Sequence, residues 1–197
     1  MAVVDVDTME AEVHDFPVNR VKKKTGNAVE TTFDKKGISE LLRLYRKDMP
    51  EINSDLNVVA QMEQVGCWAG QGRTSIWTFG FGVGLLTGIL EAFNIPVLEA
   101  VTPQKWKSVV MEDYSYIIAE DRKQRKHSTL KDGELLELKR GRDKKIAHME
   151  LNRAKELFPK LADSLKLSKD GRTDALLISY YGACLLSARG DSFGIKV

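Results

Sequence analysis

Asp170-Gly171-Arg172-Thr173-Asp174-Ala175-Leu176-Leu177-Ile178 sets two carboxylates four residues apart at the mouth of an apolar run. The run predicts a helix over Arg172–Ser187, and a spacing of four puts both acids on one side of its first turn. Helix capping accounts for Asp170, because an N-cap acid satisfies free backbone amides and suits the helix dipole. It accounts less well for Asp174, which opens the apolar segment and belongs near buried surface. Working outward, Val58-Val59-Ala60-Gln61-Met62-Glu63 reads as a strand ending on an acid. Ligands of open α/β sheets bind at such strand ends, although Glu63 alone could equally be a surface carboxylate. Acids on the ends of packed elements supply the oxygen ligands that Mg²⁺ takes. Two such ions in one carboxylate cluster stabilise both the attacking and leaving oxygens of phosphodiester cleavage.

The rest of the chain bounds this reading. At 197 residues, with 43% hydrophobic and 29% charged side chains, it suits one soluble domain with a real core. The net charge of +2 says little. Its distribution says more: Arg20, Lys22, Lys23 and Lys24 cluster, and Arg122–Lys145 holds ten basic residues against Asp132, Glu134, Glu137 and Asp143. Such a surface can meet a phosphate backbone, though charge runs are often only solvated. Cys67 and Cys184 form no metal or disulfide pattern and point to a reducing compartment.

Strands and helices alternate. A hairpin is expected over Ala2–Phe16, a basic loop over Pro17–Thr32 and an amphipathic helix over Asp34–Asp48. The Asp55–Glu63 strand follows, then a long apolar helix to about Phe93, a strand over Pro96–Val101 and a helix over Pro103–Met111. Glu112–Arg142 reads as an inserted loop or solvated helix, ahead of helices over Lys144–Phe158, Leu161–Leu167 and Arg172–Ser187. This order predicts a mixed α/β sheet, with a single domain over 1–188 and a tail over 189–197.

Thr74–Glu91 is about as long as the shortest membrane span, but its glycines and the soluble character elsewhere favour a buried helix. Gly80, Gly84 and Gly88 share one face of it and allow a close approach, by default within the chain. Trp106, between Lys105 and Lys107, either touches a nucleic-acid backbone or is a buried ring flanked by lysines. Trp68, Trp77 and Phe81 could stack on bases, although aromatics are more often core. His14, His127 and His148 show no metal or triad spacing.

Glu63-Gln64-Val65, Gln71-Gly72, Thr78-Phe79-Gly80 with Gly84 and Gly88, Val101-Thr102-Pro103-Gln104-Lys105-Trp106-Lys107, Leu157-Phe158-Pro159-Lys160-Leu161 and Asp170–Gly182 occur in the order seen in RuvC-type Holliday-junction resolvases. The chain resembles the phage, bacterial and plant plastid members of that family over most of 55–186, broken by a charged insert at about 115–142. The resemblance implies an RNase H-like sheet of order 3-2-1-4-5 flanked by helices. It also implies two Mg²⁺ or Mn²⁺ ions per site and a homodimer acting on branched, four-way DNA. Glu63 would be the strand-four carboxylate, with Asp170 and Asp174 the C-terminal pair. Gln71, Arg73, Lys105, Lys107, Lys169 and Arg172 would meet the DNA.

One departure is serious. The family's first catalytic aspartate lies on strand one, in a Gly-x-Asp-Pro-Gly-like segment. Here Met1–Asp7 looks like strand two already under way, and Asp5 and Asp7 fall near a turn. The expectation is a longer enzyme whose first strand lies upstream, because the other three acids remain. A degenerate copy that binds DNA without cutting it is the alternative. With an upstream targeting segment the compartment would be a plastid or mitochondrion, and otherwise the cytoplasm. No membrane partner is expected.

Overall fold

The computed structural model describes residues 1–22, 29–46, 58–64, 66, 71–126 and 132–187, with backbone only at 30, 46, 132, 169 and 170. The fold is mixed α/β. The chain clusters into two compact units, one formed by residues 1–14 and 101–197, the other by 15–100.

In the first unit, β1 (Ala2–Val4) and β2 (Ala11–Val13) pair antiparallel, with Val3 opposite Glu12. The expected hairpin is therefore present. Its turn is closed by Asp5, whose Oδ1 accepts from Asp7 N at 3.0 Å, Thr8 N at 2.7 Å and Thr8 Oγ1 at 2.9 Å. Aspartate favours turns because its short carboxylate can bond nearby backbone amides in this way. These bonds hold the Asp5 carboxyl below the usual aspartate range.

Helix α3 (Pro103–Val110) starts at Thr102, whose hydroxyl accepts from Lys105 N at 3.3 Å, with Pro103 in the first turn. Next come α4 (Tyr114–Lys126), α5 (Asp132–Leu157), two 3₁₀ segments (Pro159–Ser164 and Leu167–Lys169) and α6 (Asp170–Ser187). The core of this unit joins Trp106, Val110, Ile117, Ala154, Phe158, Leu176, Leu177 and Tyr181. Phe158 and Tyr180 meet edge to face at 6.0 Å. The Ser179 hydroxyl donates to the Ala2 carbonyl at 3.1 Å and ties α6 to β1.

The charged insert is helical on both sides of residues 127–131. It also contributes to the core through Tyr114 and Ile117. Charge density suggested a solvated segment, but Tyr114, Ile117 and Asp121 recur at helical spacing and are buried.

In the second unit, the stretch expected as a basic loop is a hairpin, β3 (Val18–Lys22) with β4 (Val29–Phe33), pairing Val18 with Phe33 and Arg20 with Thr31. Its β-branched residues carry the strands although every β3 residue is exposed. Helix α1 (Lys35–Arg46) is capped by Asp34, which accepts from Gly37 N at 3.0 Å. It buries Ile38 and Leu42, as its spacing predicts. In the described part of the Asp55–Glu63 strand, Ala60 bridges in parallel to Val97, through Ala60 N to Pro96 O at 2.9 Å and Leu98 N to Ala60 O at 2.8 Å, and Glu63 is also a bridge residue.

Helix α2 (Arg73–Ala92) has the expected bounds but not the expected burial. Only Gly82 and Leu90 are buried, while Trp77, Phe79 and Phe81 are exposed. Among the described residues, nothing lies within 4 Å of a would-be Cβ at Gly80, Gly84 or Gly88, and all three are exposed, so the close packing expected of their face is not seen there. By length and composition α2 could cross a membrane. Apolar composition suggested a core helix. What decides burial is a matching surface, and α2 meets one mainly at Gly82, where Phe33 packs.

Candidate functional site

The sequence-predicted residues divide between the two units. Glu63, Gln71 and Arg73 belong to the second. Glu63 is half-buried just past the Ala60 bridge, Gln71 is half-buried before α2, and Arg73 is the exposed first residue of that helix. Lys105, Lys107, Lys169, Asp170, Arg172 and Asp174 belong to the first. Asp170 opens α6 and Asp174 lies one turn on. The side chains of Lys169 and Asp170 lie outside the described residues. Arg172 and Asp174 are half-buried, and between them Thr173 is buried with no hydrogen-bond partner for its hydroxyl among the described residues.

Helix α3 brings a cation to Asp174. Its helical turn sends Trp106 into the core, fully buried, and aims Lys107 at α5. Lys105 stays exposed. Of the two readings of this tripeptide, the buried ring is the one observed. Lys107 departs from the picture of a solvated DNA contact: its side chain is 18% exposed, lies 5.1 Å over the Trp106 ring and forms an ion pair with Glu150, itself 8% exposed.

Burial pulls the Lys107 pKa down. The hydrogen bond and charge of Glu150, with smaller contributions from Asp174 and Tyr114, outweigh it and hold the ammonium above the ordinary lysine value. Lys107 therefore stays charged at neutral pH, between Glu150 and the field of Asp174. A fixed ammonium beside such an acid can neutralise a phosphate oxygen.

A second ionic knot joins α4 to α5. Asp121, 7% exposed, accepts from Arg142 Nη1 at 2.9 Å and forms an ion pair with Arg125, Oδ2 to Nε 2.9 Å, and Arg142 Nη2 reaches Asp143 at 2.6 Å. A buried carboxylate needs such partners. Between the two knots lies a cavity of about 360 Å³ walled by α3, α4 and α5.

Sequence reasoning missed Glu150 and Asp121. The signal was available: Glu150 shares the helical stripe of Ile146 and Ala154, so it marks an acid at a core position and implies a buried cation.

Among the described residues, no three His, Cys, Asp or Glu side chains gather into a metal-binding group. The donor chemistry of Glu63, Asp170 and Asp174 is nevertheless all carboxylate oxygen, which suits Mg²⁺ or Mn²⁺. No protein-family model matches this chain, and no curated protein sequence matches it.

Proposed function

We propose that this chain is an RNase H-like, RuvC-type endonuclease domain acting on four-way DNA junctions through a divalent-metal site. The observation that carries the reading is the start of α6. Asp170 and Asp174 stand one turn apart there, and α3 delivers the Lys107 ammonium within the field of Asp174. Glu63, Asp170 and Asp174 would hold two Mg²⁺ or Mn²⁺ ions, which supply charge neutralisation and an activated water when bound. Lys107, kept protonated by Glu150, would add a fixed positive charge where the phosphate gathers negative charge. Gln71, Arg73, Lys105, Lys169 and Arg172 would position the DNA backbone.

The mixed α/β character of the chain supports this reading at the level of fold class. The open glycine face of α2, flanked by exposed Trp77 and Phe81, suits the homodimer that a two-strand incision requires.

The second reading, a non-cutting DNA-binding protein on the same scaffold, draws on Asp5. All its described hydrogen bonds close the hairpin turn, so it supports the turn and is a poor stand-in for a missing fourth acid.

The test is cleavage of a synthetic four-way junction with Mg²⁺, by this chain and by one extended upstream. Incision by the extended chain, lost on Asp174→Ala, is expected. Junction binding by both without incision by either selects the second reading.

A further inference from the structure

The cavity between α3, α4 and α5 is not used by the carboxylates of the proposed metal site, and its charges are unevenly spent. Its acids are committed: Glu150 to Lys107, Asp121 to Arg125 and Arg142, and Asp143 to Arg142. Arg122 also lines it, is exposed, and takes part in no ion pair among the described residues. Among the described residues, the lining holds three cations (Lys107, Arg122, Arg142) and three acids (Asp121, Asp143, Glu150), and Arg125 pairs with Asp121 without lining the cavity. Of the lining cations, Arg122 is the exposed one.

Cations continue outward along α4. Lys126 lies four residues beyond Arg122, on the same face of α4 and about 6 Å along its axis. Lys123 is exposed beside them. The cavity wall also offers Ile118, Ile146 and Tyr114. A guanidinium at the rim, apolar surface inside and a line of lysines beyond fit a phosphate carrying a sugar and base, within a longer polyanion. The volume is at the small end of ligand sites, about 300–1,000 Å³ in general.

We propose that this cavity is a nucleotide-sized subsite for one strand of nucleic acid, with Arg122 holding a backbone phosphate and Lys126 tracking the next stretch of the strand. This rests on the nuclease reading for its biological sense, and Lys107 is the element that the cavity and Asp174 share. A lipid surface fits less well. Of the exposed large apolar residues on α4, only Tyr116 is present, and an interfacial helix needs a whole apolar face.

The test is fluorescence anisotropy of a short labelled single-stranded oligonucleotide, in EDTA, across a salt series. Arg122→Glu is expected to weaken binding about tenfold and to lower the slope of log affinity against log salt by about 1. Arg122→Lys should keep most of the affinity, and Lys36→Glu, an exposed charge change in the other unit, should leave it unchanged. Arg122 is exposed, so its variants should keep the parent thermal unfolding curve.

Several outcomes overturn the proposal: equal binding by parent and Arg122→Glu, equal weakening by Lys36→Glu, or no oligonucleotide binding by the parent. Displacement of the oligonucleotide by inorganic phosphate at equal potency would assign a small-anion site and overturn it too. So would preference for phosphatidylserine vesicles over the oligonucleotide. Mn²⁺ titration of the parent and Asp174→Ala judges the carboxylate reading separately. Metal binding that depends on Asp174 beside an inert Arg122→Glu would remove this subsite alone.

Discussion

Helices α2 and α6 are both long and apolar, yet they meet opposite fates. α6 buries Thr173, Leu176, Leu177, Tyr181, Ala183 and Cys184, and β1, α3 and α5 pack around it. α2 buries Gly82 and Leu90 and leaves Trp77 75% exposed. The difference is in side-chain geometry. α6 offers branched and aromatic knobs to neighbours that can close around them, while α2 alternates large rings with glycines and so presents a ridge beside an open channel. Apolar content sets the wish to be buried, and only a complementary surface grants it.

The largest expected effect breaks that contrast at its strong end. Leu176 is fully buried, so Leu176→Ala should cost about 2–5 kcal/mol by removing contacts and leaving a cavity. Trp77→Ala, though a larger truncation, should change the stability of the monomer by no more than about 0.5 kcal/mol. Urea denaturation measures both. A costly Trp77→Ala at concentrations where the protein self-associates, and a cheap one at dilution, would identify the ridge as an interface between copies.

A smaller effect lies within α2. At Gly82 a Cβ would stand 2.9 Å from Phe33 Cζ and 3.0 Å from Cε2, whereas at Gly84 it would meet none of the described residues within 4 Å. Gly82→Ala should therefore destabilise, by about 1–3 kcal/mol of overpacking against about 1 kcal/mol of helix propensity gained. Gly84→Ala should stabilise the monomer by about 0.5–1 kcal/mol. If the glycine channel seats a second copy, the same change weakens the dimer, which sedimentation reads. A Gly84→Ala protein that is both more stable and equally dimeric would remove the channel from the interface.

How much was legible in the sequence follows from the same physics. The bounds of α1, α2 and α3 and the β1–β2 turn were readable, because local signals fix them: Asp34 and Thr102 as caps, Pro103 at the first turn, Asp5 folding back on Thr8. The β3–β4 hairpin was not, since Arg20 and Lys22 masked the β-branched Val18 and Val21 beside them. The burial of α2 was not, since it depends on a partner surface and not on α2's own residues. Around the candidate site, spacing placed Asp170 and Asp174 together on α6. Lys107 was read as a surface contact because the residue that captures it, Glu150, lies far along the chain on another helix. Long-range pairing of this kind leaves one local trace, an acid at a core position of a helical stripe.

Buried, ion-paired charges flank α6, whereas the cations beside α2, Lys35 and Arg43, lie over the rings of Phe81 and Phe93. The Lys107 pKa is raised in the folded protein, chiefly because Glu150 and then Asp174 outweigh the cost of burial. A cation with a raised pKa stabilises the fold fully below its unfolded value, here 10.5, and that contribution is lost as pH rises through the folded value. Cys184 and Tyr180 push the same way. Burial raises both pKa values, so ionising either one in the folded core is unfavourable, and stability falls as pH climbs above about 9 and 10, their ordinary values. The melting temperature should therefore be flat through neutral pH and decline on the alkaline side. Lys107→Met removes one component of that decline, and Cys184→Ala removes the one that begins at lower pH. Because both changes touch only the packing around α6, Trp77 fluorescence should follow neither. An alkaline limb unchanged in Lys107→Met would mean that Glu150 holds no charged partner in solution, and the contrast between a clamped α6 and an unclamped α2 would then rest on apolar packing alone.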